Sequence, residues 1–348
     1  MRAMCDASSS ALLIERERSR RTLHVVRGSP PRRMADDSDD DLFAEEDTRG
    51  AAELFGVLHL LDESGSQDEP LTSDSLAVLL AAEPDSLVLS KRGLSDVDLK
   101  LLASTLAASR PCSLAQLTLD NNIIGDAGAV ALADACPMLP QLERLDLSSN
   151  AIGSSGFDCL APRLPPTLTA CDLSSNGLGD VGVAALGRAI ADGRLVQLRC
   201  LYLDRNDIGD TGLTSLGRDA SAVGGGALPQ LSELWLSNNH IGDTGASALF
   251  ESLAAGAFAA LGDLRLQYNS LGDASMTALS SSLGRGALGR AWYLGLSDNC
   301  FTDAGLVALS ESISAGTLPR LEFVTISGSG TSSAAQQTVQ DALTRRPR

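Results

Sequence analysis

The segment LWLSNNHIGDTGASAL, residues 234–249, contains the pattern on which most of the chain is built. A short L-x-L-x-x-N stretch leads into Ile-Gly-Asp-x-Gly and then into an apolar helical pattern. The L-x-L-x-x-N stretch occurs seven times, with its asparagine at Asn122, Asn150, Asn176, Asn206, Asn239, Asn269 and Asn299. Successive asparagines are 28, 26, 30, 33, 30 and 30 residues apart, a period typical of solenoid repeats. LVLSKR (87–92) and VTISGS (324–329) are degenerate copies at the two ends.

Each unit predicts a short strand followed by a helix. In L-x-L the side-chain period of two places both leucines on the buried face of a strand and the residue between them on the other face. The asparagine follows where the chain leaves the strand, and its amide group both donates and accepts hydrogen bonds. We expect the seven asparagines to form a structural ladder that pairs loop backbone groups of stacked repeats. Arg92 and Ser329 replace the asparagine in the end units, as expected for capping repeats.

A polar residue opens each helical pattern. It is aspartate at Asp96, Asp126, Asp180, Asp210, Asp243, Asp273 and Asp303, and serine at Ser154. A row of carboxylates suggests metal or acid–base chemistry, but serine replaces a metal-binding carboxylate poorly and caps helices well. We therefore predict that each of these side chains caps the N-terminus of its own helix.

The units resemble the leucine-rich repeats of the ribonuclease-inhibitor-like class, with the pattern LxxLxLxxNxIGDxGxxALxxAL over about residues 87–330. This resemblance implies an α/β leucine-rich-repeat solenoid, a horseshoe with parallel strands on its concave face and helices on its convex face. Within the class, the repeats look most similar to those of Ran GTPase-activating proteins and NOD-like receptors. The P-loop module of NOD-like receptors is not found, and no activity residue of the GTPase-activating proteins can be matched position by position.

The first fifty residues have two opposite compositions. Residues 1–33 carry eight Arg and three acidic residues, whereas residues 34–50 carry eight acidic residues and one Arg. Neither stretch has enough apolar residues to offset the entropy lost on ordering, so we predict a disordered tail over 1–50. A transit peptide, or a true start at Met34, are alternatives for the basic part.

The remaining chain divides into a cap and a repeat domain. The apolar patterning of 51–86 predicts a helical N-terminal cap, and 87–343 is the leucine-rich-repeat domain, with about eight repeats plus a truncated last one. The 33-residue spacing between Asn206 and Asn239 predicts a mobile loop at SAVGGGAL (221–228), because consecutive glycines extend a helix poorly.

The composition disfavours several classes of function. The 348 residues are 44% apolar and 20% charged, with a formal net charge of −17 that repels nucleic-acid phosphates. Three histidines and two lysines leave little for histidine-based metal binding, a Ser-His-Asp triad or a P-loop. No apolar run reaches the ~18–20 residues that span a bilayer. Seven scattered cysteines without a C-x-x-C pair are typical of structural thiols in a reducing compartment.

The outward strand positions predict a partner-binding surface. Exposed aromatic side chains flanked by charges are typical of binding hot spots, and all three tyrosines and both tryptophans of this chain fall at or beside these positions. The candidate residues are Tyr202, Asp204, Arg205, Glu233, Trp235, Asp263, Arg265, Tyr268 and Tyr293. Trp235 is the expected anchor, and Trp292 is expected in the core. The alternative is that these aromatics stack on one another to close a flat sheet.

These features favour a non-catalytic interaction scaffold that binds a protein partner on the concave face. Alternatives are a GTPase-activating protein of the Ran GTPase-activating type, and a structural subunit of a larger cytoskeletal or axonemal assembly. We expect no cofactor, no metal, no nucleic acid and no membrane as a ligand. A cytoplasmic chain that is monomeric when unbound is expected, with the nucleus as the alternative compartment.

Overall fold

The fold was analysed in a computed structural model that describes residues 85–108, 113–223 and 226–345, together with Thr72, Leu76 and Leu80. Within these residues, nine three-residue strands form one parallel sheet in which each strand pairs with the next along the chain. The strands are β1 (Ser86–Val88), β2 (Gln116–Thr118), β3 (Arg144–Asp146), β4 (Ala170–Asp172), β5 (Cys200–Tyr202), β6 (Glu233–Trp235), β7 (Asp263–Arg265), β8 (Tyr293–Gly295) and β9 (Phe323–Thr325).

A helix follows every strand. The helices are α1 (Asp96–Ala108), α2 (Asp126–Ala135), α3 (Ser154–Leu160), α4 (Gly179–Ala191), α5 (Asp210–Ala222), α6 (Asp243–Ala254), α7 (Asp273–Gly284), α8 (Asp303–Ser314) and α9 (Ser333–Arg345). Short 3-10 helices, Cys136–Met138 and Ala161–Arg163, extend α2 and α3. This open parallel sheet with alternating helices confirms the predicted α/β leucine-rich-repeat solenoid.

The core lies between the sheet and the helices. The central residue of each strand, Leu234 in β6 for example, is buried together with the leucines of the helices in one continuous cluster. Leu76 and Leu80 are helical and belong to the same cluster. The other residues of the predicted cap, like the predicted tail, lie outside the described residues, so both regions stay predictions.

The seven asparagines connect neighbouring repeats through hydrogen bonds. Asn239 is representative: its Oδ1 accepts from the amides of Asn206 and Ile208, and its Nδ2 donates to the carbonyls of Leu203 and Leu236. Equivalent bonds, each with a partner in the preceding repeat, are made by Asn122, Asn150, Asn176, Asn206, Asn269 and Asn299. At the C-terminal end, Ser329 Oγ accepts from the amide of Asn299. The side chains therefore pair loop groups that the strands leave unpaired.

The aspartates do not cap their own helices, which corrects the prediction from the sequence. Asp210 is the first residue of α5, yet its Oδ1 accepts from the amides of Gly242 and Gly245, at the start of α6, at 2.7 and 2.9 Å. The same link to the next helix is made by Asp96, Asp126, Asp180, Asp243, Asp273 and Asp303. A first-turn residue lies too far along its own helix to cap it, but the parallel neighbour brings free amides within reach.

The second glycine of Gly-Asp-x-Gly makes this link possible. A Cβ on Gly245 would lie 2.7 Å from Asp210 Oδ1 and 2.8 Å from Asp210 Cα, closer than atoms can approach. Comparable contacts would arise at Gly128, Gly156, Gly212 and Gly305. The motif therefore pairs a carboxylate in one repeat with glycine backbone amides in the next.

The region of the predicted 221–228 loop is only partly described. Helix α5 continues to Ala222, so it includes the first two residues of the predicted loop. Ala227 and Leu228 are buried on the other side of the loop. Gly224 and Gly225 lie outside the described residues, and the mobility of the loop stays a prediction.

Candidate functional site

The sheet face opposite the helices carries the polar and aromatic side chains of the strands. Three positions of each repeat contribute to it: the first and third residues of the strand and the second residue after the strand. Register places equivalent positions of successive repeats side by side, as for Tyr202 against Trp235 and Trp235 against Arg265. Side chains from several repeats therefore form one continuous surface.

Four side chains on this face stack into a row, which we call the aromatic row: Tyr202, Trp235, Arg265 and Tyr293. The rings of Tyr202 and Trp235 have centroids 4.2 Å apart. The guanidinium of Arg265 lies 3.8 Å from the centroid of the Trp235 ring and 5.1 Å from that of Tyr293. Arg265 Nη2 also pairs with Asp263 Oδ2 at 3.3 Å. The row thus contains one contact between two rings and two contacts between a cation and a ring, across four strands.

Polar contacts fix the row at both ends. The Tyr202 hydroxyl donates to Glu233 Oε2 at 2.8 Å, while burial raises the pKa of the Glu233 carboxyl above its ordinary value. At the other end, Gln267 Nε2 donates to the Tyr293 hydroxyl at 3.2 Å. The Gln267 side chain occupies the space above Gly295, where a Cβ would lie 2.4 Å from it. The aromatic row is therefore held in place before any partner arrives.

The expected exposure is wrong for three candidate residues, of which two are aromatic and one is acidic. Trp235 is only 6% exposed, Tyr202 1% and Asp263 2%. Stacking explains the burial of Tyr202 and Trp235, because each ring is covered by the neighbouring side chain of the row. Trp235 thus fits the alternative of aromatics that close a flat sheet better than a free anchor. Together with Ala170 and Cys200, Tyr202 and Trp235 form a small apolar cluster separate from the main core.

Other candidate residues remain accessible on the same face. Tyr268 is 47% exposed, Arg205 is exposed, and Glu233, Arg265 and Tyr293 are half-buried. Tyr268 has a φ of 53° and Arg205 one of 54°, the left-handed conformation in which each repeat leaves its strand. Asp204 is half-buried, and its Oδ1 accepts from the amide of Ser237. The accessible chemistry is therefore two tyrosines with charged side chains around them.

Trp292 is 40% exposed, which corrects its expected place in the core. It directly precedes β8, so it lies outside the strand in which Leu294 is buried. Its indole lies over Gly262, where a Cβ would be 2.8 Å from Trp292 Cδ1, and its ring centroid is 5.9 Å from that of Tyr293. The missing side chain at position 262 was the signal that could have revealed this ring at the edge of the sheet face.

Carboxylates dominate the other half of the sheet face. Asp146 and Asp172 pair in register on β3 and β4, and both are buried. Each accepts a hydrogen bond from the amide two residues later, Ser148 and Ser174, at 2.9 Å. Burial, and for Asp146 also the nearby Asp172, raises the pKa of these carboxyls above the ordinary range. From the sequence, neither residue was assigned a role.

Other chemistry is sparse where the structure describes the chain. Its five cysteines there, Cys136, Cys159, Cys171, Cys200 and Cys300, are free thiols. Burial raises the pKa of the Cys136 thiol to about 12, well above the range of a reactive cysteine. None of the described helices has the length and apolar composition needed to cross a bilayer.

Comparison with known proteins identifies the repeat. The family of leucine-rich repeats matches six segments, residues 112–133, 140–161, 165–187, 197–217, 228–250 and 293–310. No curated protein matches the chain by sequence.

Two solved structures are similar in part. The leiomodin-1 actin-binding site 2 shares 13% identity over 55% of this chain and 88% of its own, with a TM-score of 0.32. A TDR receptor shares 17% identity over 74% of this chain and 45% of its own, with a TM-score of 0.38.

Proposed function

Since the chain is a leucine-rich repeat protein, we propose that it is a non-catalytic scaffold that binds a protein partner on its sheet face, the concave face of the predicted horseshoe. Leucine-rich repeats suggest protein interaction in general, because parallel repeats present a broad surface of side chains in fixed register. The observation that carries the proposal is the pre-ordered aromatic row, with the accessible Tyr293 at its end, and the accessible Tyr268 on the same face. Ordered aromatic side chains bury much area at low entropic cost when a partner covers them.

The proposed contact is centred on Tyr268 and Tyr293, with Arg205, Asp204 and Glu233 around them. Tyr202, Trp235, Asp263 and Arg265 support this surface from below, because they hold the row in place and are themselves largely covered. This arrangement matches that of binding hot spots, in which accessible aromatics rest on a packed and ordered layer.

Affinity capture of the partner from cells tests the proposal. We expect the double variant Tyr268→Ala/Tyr293→Ala to lose partner binding by ~2–4 kcal/mol, in the range of hot-spot truncations. Val181→Ala removes an exposed apolar side chain at the start of α4 and serves as the matched control. Equal capture by the wild type and the double variant, with unchanged circular dichroism, would place the interface elsewhere.

We also propose that the protein acts in the cytoplasm. Free thiols at exposed positions, Cys159 and Cys300, are compatible with a reducing compartment. Imaging of the full chain with a fluorescent tag at its C-terminus tests this, and secretion or organelle import would contradict it.

A further inference from the structure

The joint between α3 and α4, meaning the contact between their two repeats, lacks a link that the other joints have. At every other joint within the described residues, an aspartate at the start of one helix accepts from an amide at or just before the start of the next. Ser154 takes the place of that aspartate in α3, and its side chain bonds to no part of α4 that the structure describes. A Cβ on Gly182 would lie 3.7 Å from Ser154 Cα. The equivalent distance from Gly245 to Asp210 Cα is 2.8 Å, so the backbones of α3 and α4 also approach less closely.

The only Asn-Gly sequence of the chain, Asn176-Gly177, lies at this joint. Such a pair is chemically labile, because glycine has no Cβ that keeps the asparagine carboxamide away from the following backbone nitrogen. Gly177 is exposed, so water also reaches the pair. In the other ladder units the residue after the asparagine has a side chain and hinders this approach; these residues are Ile123, Ala151, Asp207, His240, Ser270 and Cys300.

We propose that Asn176 is a deamidation site, which reacts when the joint between α3 and α4 opens. The backbone nitrogen of Gly177 attacks Cγ of Asn176, so that an N–Cγ bond forms and the Cγ–Nδ2 bond breaks. Nδ2 leaves as ammonia and takes the proton of the Gly177 amide with it. Water then opens the cyclic succinimide at either carbonyl. Opening at Cγ leaves an aspartate at position 176, and opening at the backbone carbonyl leaves an isoaspartate, in which the main chain runs through Cγ.

Three hydrogen bonds that cross this joint hold the reacting groups apart in the closed state. Ile152 N donates to Asn176 Oδ1 at 3.0 Å, and Asn176 Nδ2 donates to the carbonyl of Leu147 at 2.9 Å. Gly177 N donates to the carbonyl of Ile152 at 2.9 Å, so it is not available for attack. Separation of the two repeats breaks all three bonds together, and the reaction therefore follows a partial opening of the array. The missing aspartate link lowers the free energy of that opening.

The product cannot restore the ladder at this position. An ionised carboxylate only accepts hydrogen bonds, so position 176 no longer donates to the carbonyls of Leu147 and Leu173 and instead places a negative oxygen beside them. The isoaspartate also lengthens the main chain where the strand ends. The modification thus turns a transient opening into a lasting weakness between β3 and β4, the strands that carry Asp146 and Asp172 on the sheet face.

Incubation of the full chain in mildly alkaline buffer, followed by peptide mapping with mass spectrometry, tests the chemistry. We expect Asn176 to convert faster than the other asparagines of the chain, with both aspartate and isoaspartate as products. Gly177→Ala is the control, because outside the adjacent residues its Cβ would meet no atom closer than 3.7 Å and the fold is retained. The added methyl group hinders the attack, so the conversion should be largely lost. An Asn176 that stays unmodified in the wild type, or that converts equally in Gly177→Ala, overturns the inference.

A second variant tests the role of the missing link within one molecule. Ser270→Gly places the same Asn-Gly pair after Asn269, where Ser270 N donates to the carbonyl of Ile241 and Asp243 links α6 to α7. We expect Asn269 in this variant to convert about fivefold or more slower than Asn176, because a linked joint opens more rarely. Adding Asp243→Ala should bring the conversion of Asn269 toward that of Asn176.

Equal conversion at the two positions of the Ser270→Gly chain would overturn the inference, and so would a conversion of Asn269 that Asp243→Ala does not speed. The reaction requires no partner, so a failure here is distinct from a failure of the scaffold proposal, which depends on Tyr268 and Tyr293.

Discussion

At the residue scale, the asparagine ladder shows how one side chain stabilises two repeats. Asn206 is fully buried, and its Nδ2 donates to the carbonyls of Leu173 and Asp204. Asn206→Ala leaves the amide of Leu178 without a partner and removes one hydrogen bond from each of these carbonyls, which keep a second donor, so we expect a loss of ~1–3 kcal/mol in unfolding free energy. Urea denaturation checks this, with Gln337→Ala, the loss of an exposed amide side chain in α9, as the control. A midpoint unchanged by Asn206→Ala would rule out a stabilising role for the ladder.

The acidic pair makes stability depend on pH. Burial raises the pKa of Asp146 and Asp172 in the folded chain. Repulsion from Asp172 and Asp120 adds to this at Asp146, and repulsion from Asp204 and Asp120 adds to it at Asp172. A carboxyl with a raised folded-state pKa stabilises the fold at low pH, and this contribution is lost as pH rises through that pKa. Asp146→Asn should therefore raise the melting temperature at pH 8, and this gain should shrink as pH falls toward 5. Scanning calorimetry measures it, and a gain that is constant with pH would contradict the assignment.

At the element scale, neighbouring helices approach through the glycine of Gly-Asp-x-Gly. Gly245→Ala would gain helix propensity, ~1 kcal/mol, but the new Cβ meets the Asp210 backbone and disturbs two hydrogen bonds. Overpacking of this kind outweighs that gain, and we expect a net destabilisation of ~1–3 kcal/mol. Gly284→Ala, at a helical position with open space around it, is the control and should be neutral or stabilising. Chemical denaturation of both variants decides between clash and propensity.

The repeat sequence predicted the elements better than it predicted their contacts. The L-x-L-x-x-N period located the strands and the buried leucines, because a period of two leaves one face for the core. The same sequence assigned the aspartate caps to the wrong helix, since spacing gives a position within a repeat and not which neighbouring amide lies opposite. The exposure predicted for Trp235 and the burial predicted for Trp292 were wrong for the same reason. The burial of Trp235 depends on Arg265, and the position of Trp292 depends on Gly262. Each partner is distant in sequence and adjacent only in the sheet.

At the scale of the whole molecule, stability is a sum over repeats and the interfaces between them. The aspartate link joins most consecutive helices, but it is interrupted after α3, where Ser154 replaces aspartate. In the part of the chain that the structure describes, the Ser154 side chain makes no hydrogen bond to α4. The two loops are connected instead by the bonds from Gly177 N to Ile152 O and from Ile152 N to Asn176 Oδ1. In the next repeat the bond from Leu178 N to Asn206 Oδ1 is 3.4 Å, longer than the 3.0 Å of its counterpart at Ile241.

This interruption predicts where the array opens first. Helix α3 has seven residues, whereas α6 has twelve and is tied to its neighbours by Asp210 and Asp243. We expect the amides of α3 to exchange through a partial opening. Its free energy should be lower than that of the opening of α6, by ~1 kcal/mol or more. Native-state hydrogen exchange across a urea series measures both. Asp243→Ala supplies the matched perturbation, because it breaks the equivalent link after α6 and should lower the protection of α6 toward that of α3. Equal opening free energies for α3 and α6 in the wild type would show that the array unfolds as one unit despite the missing link.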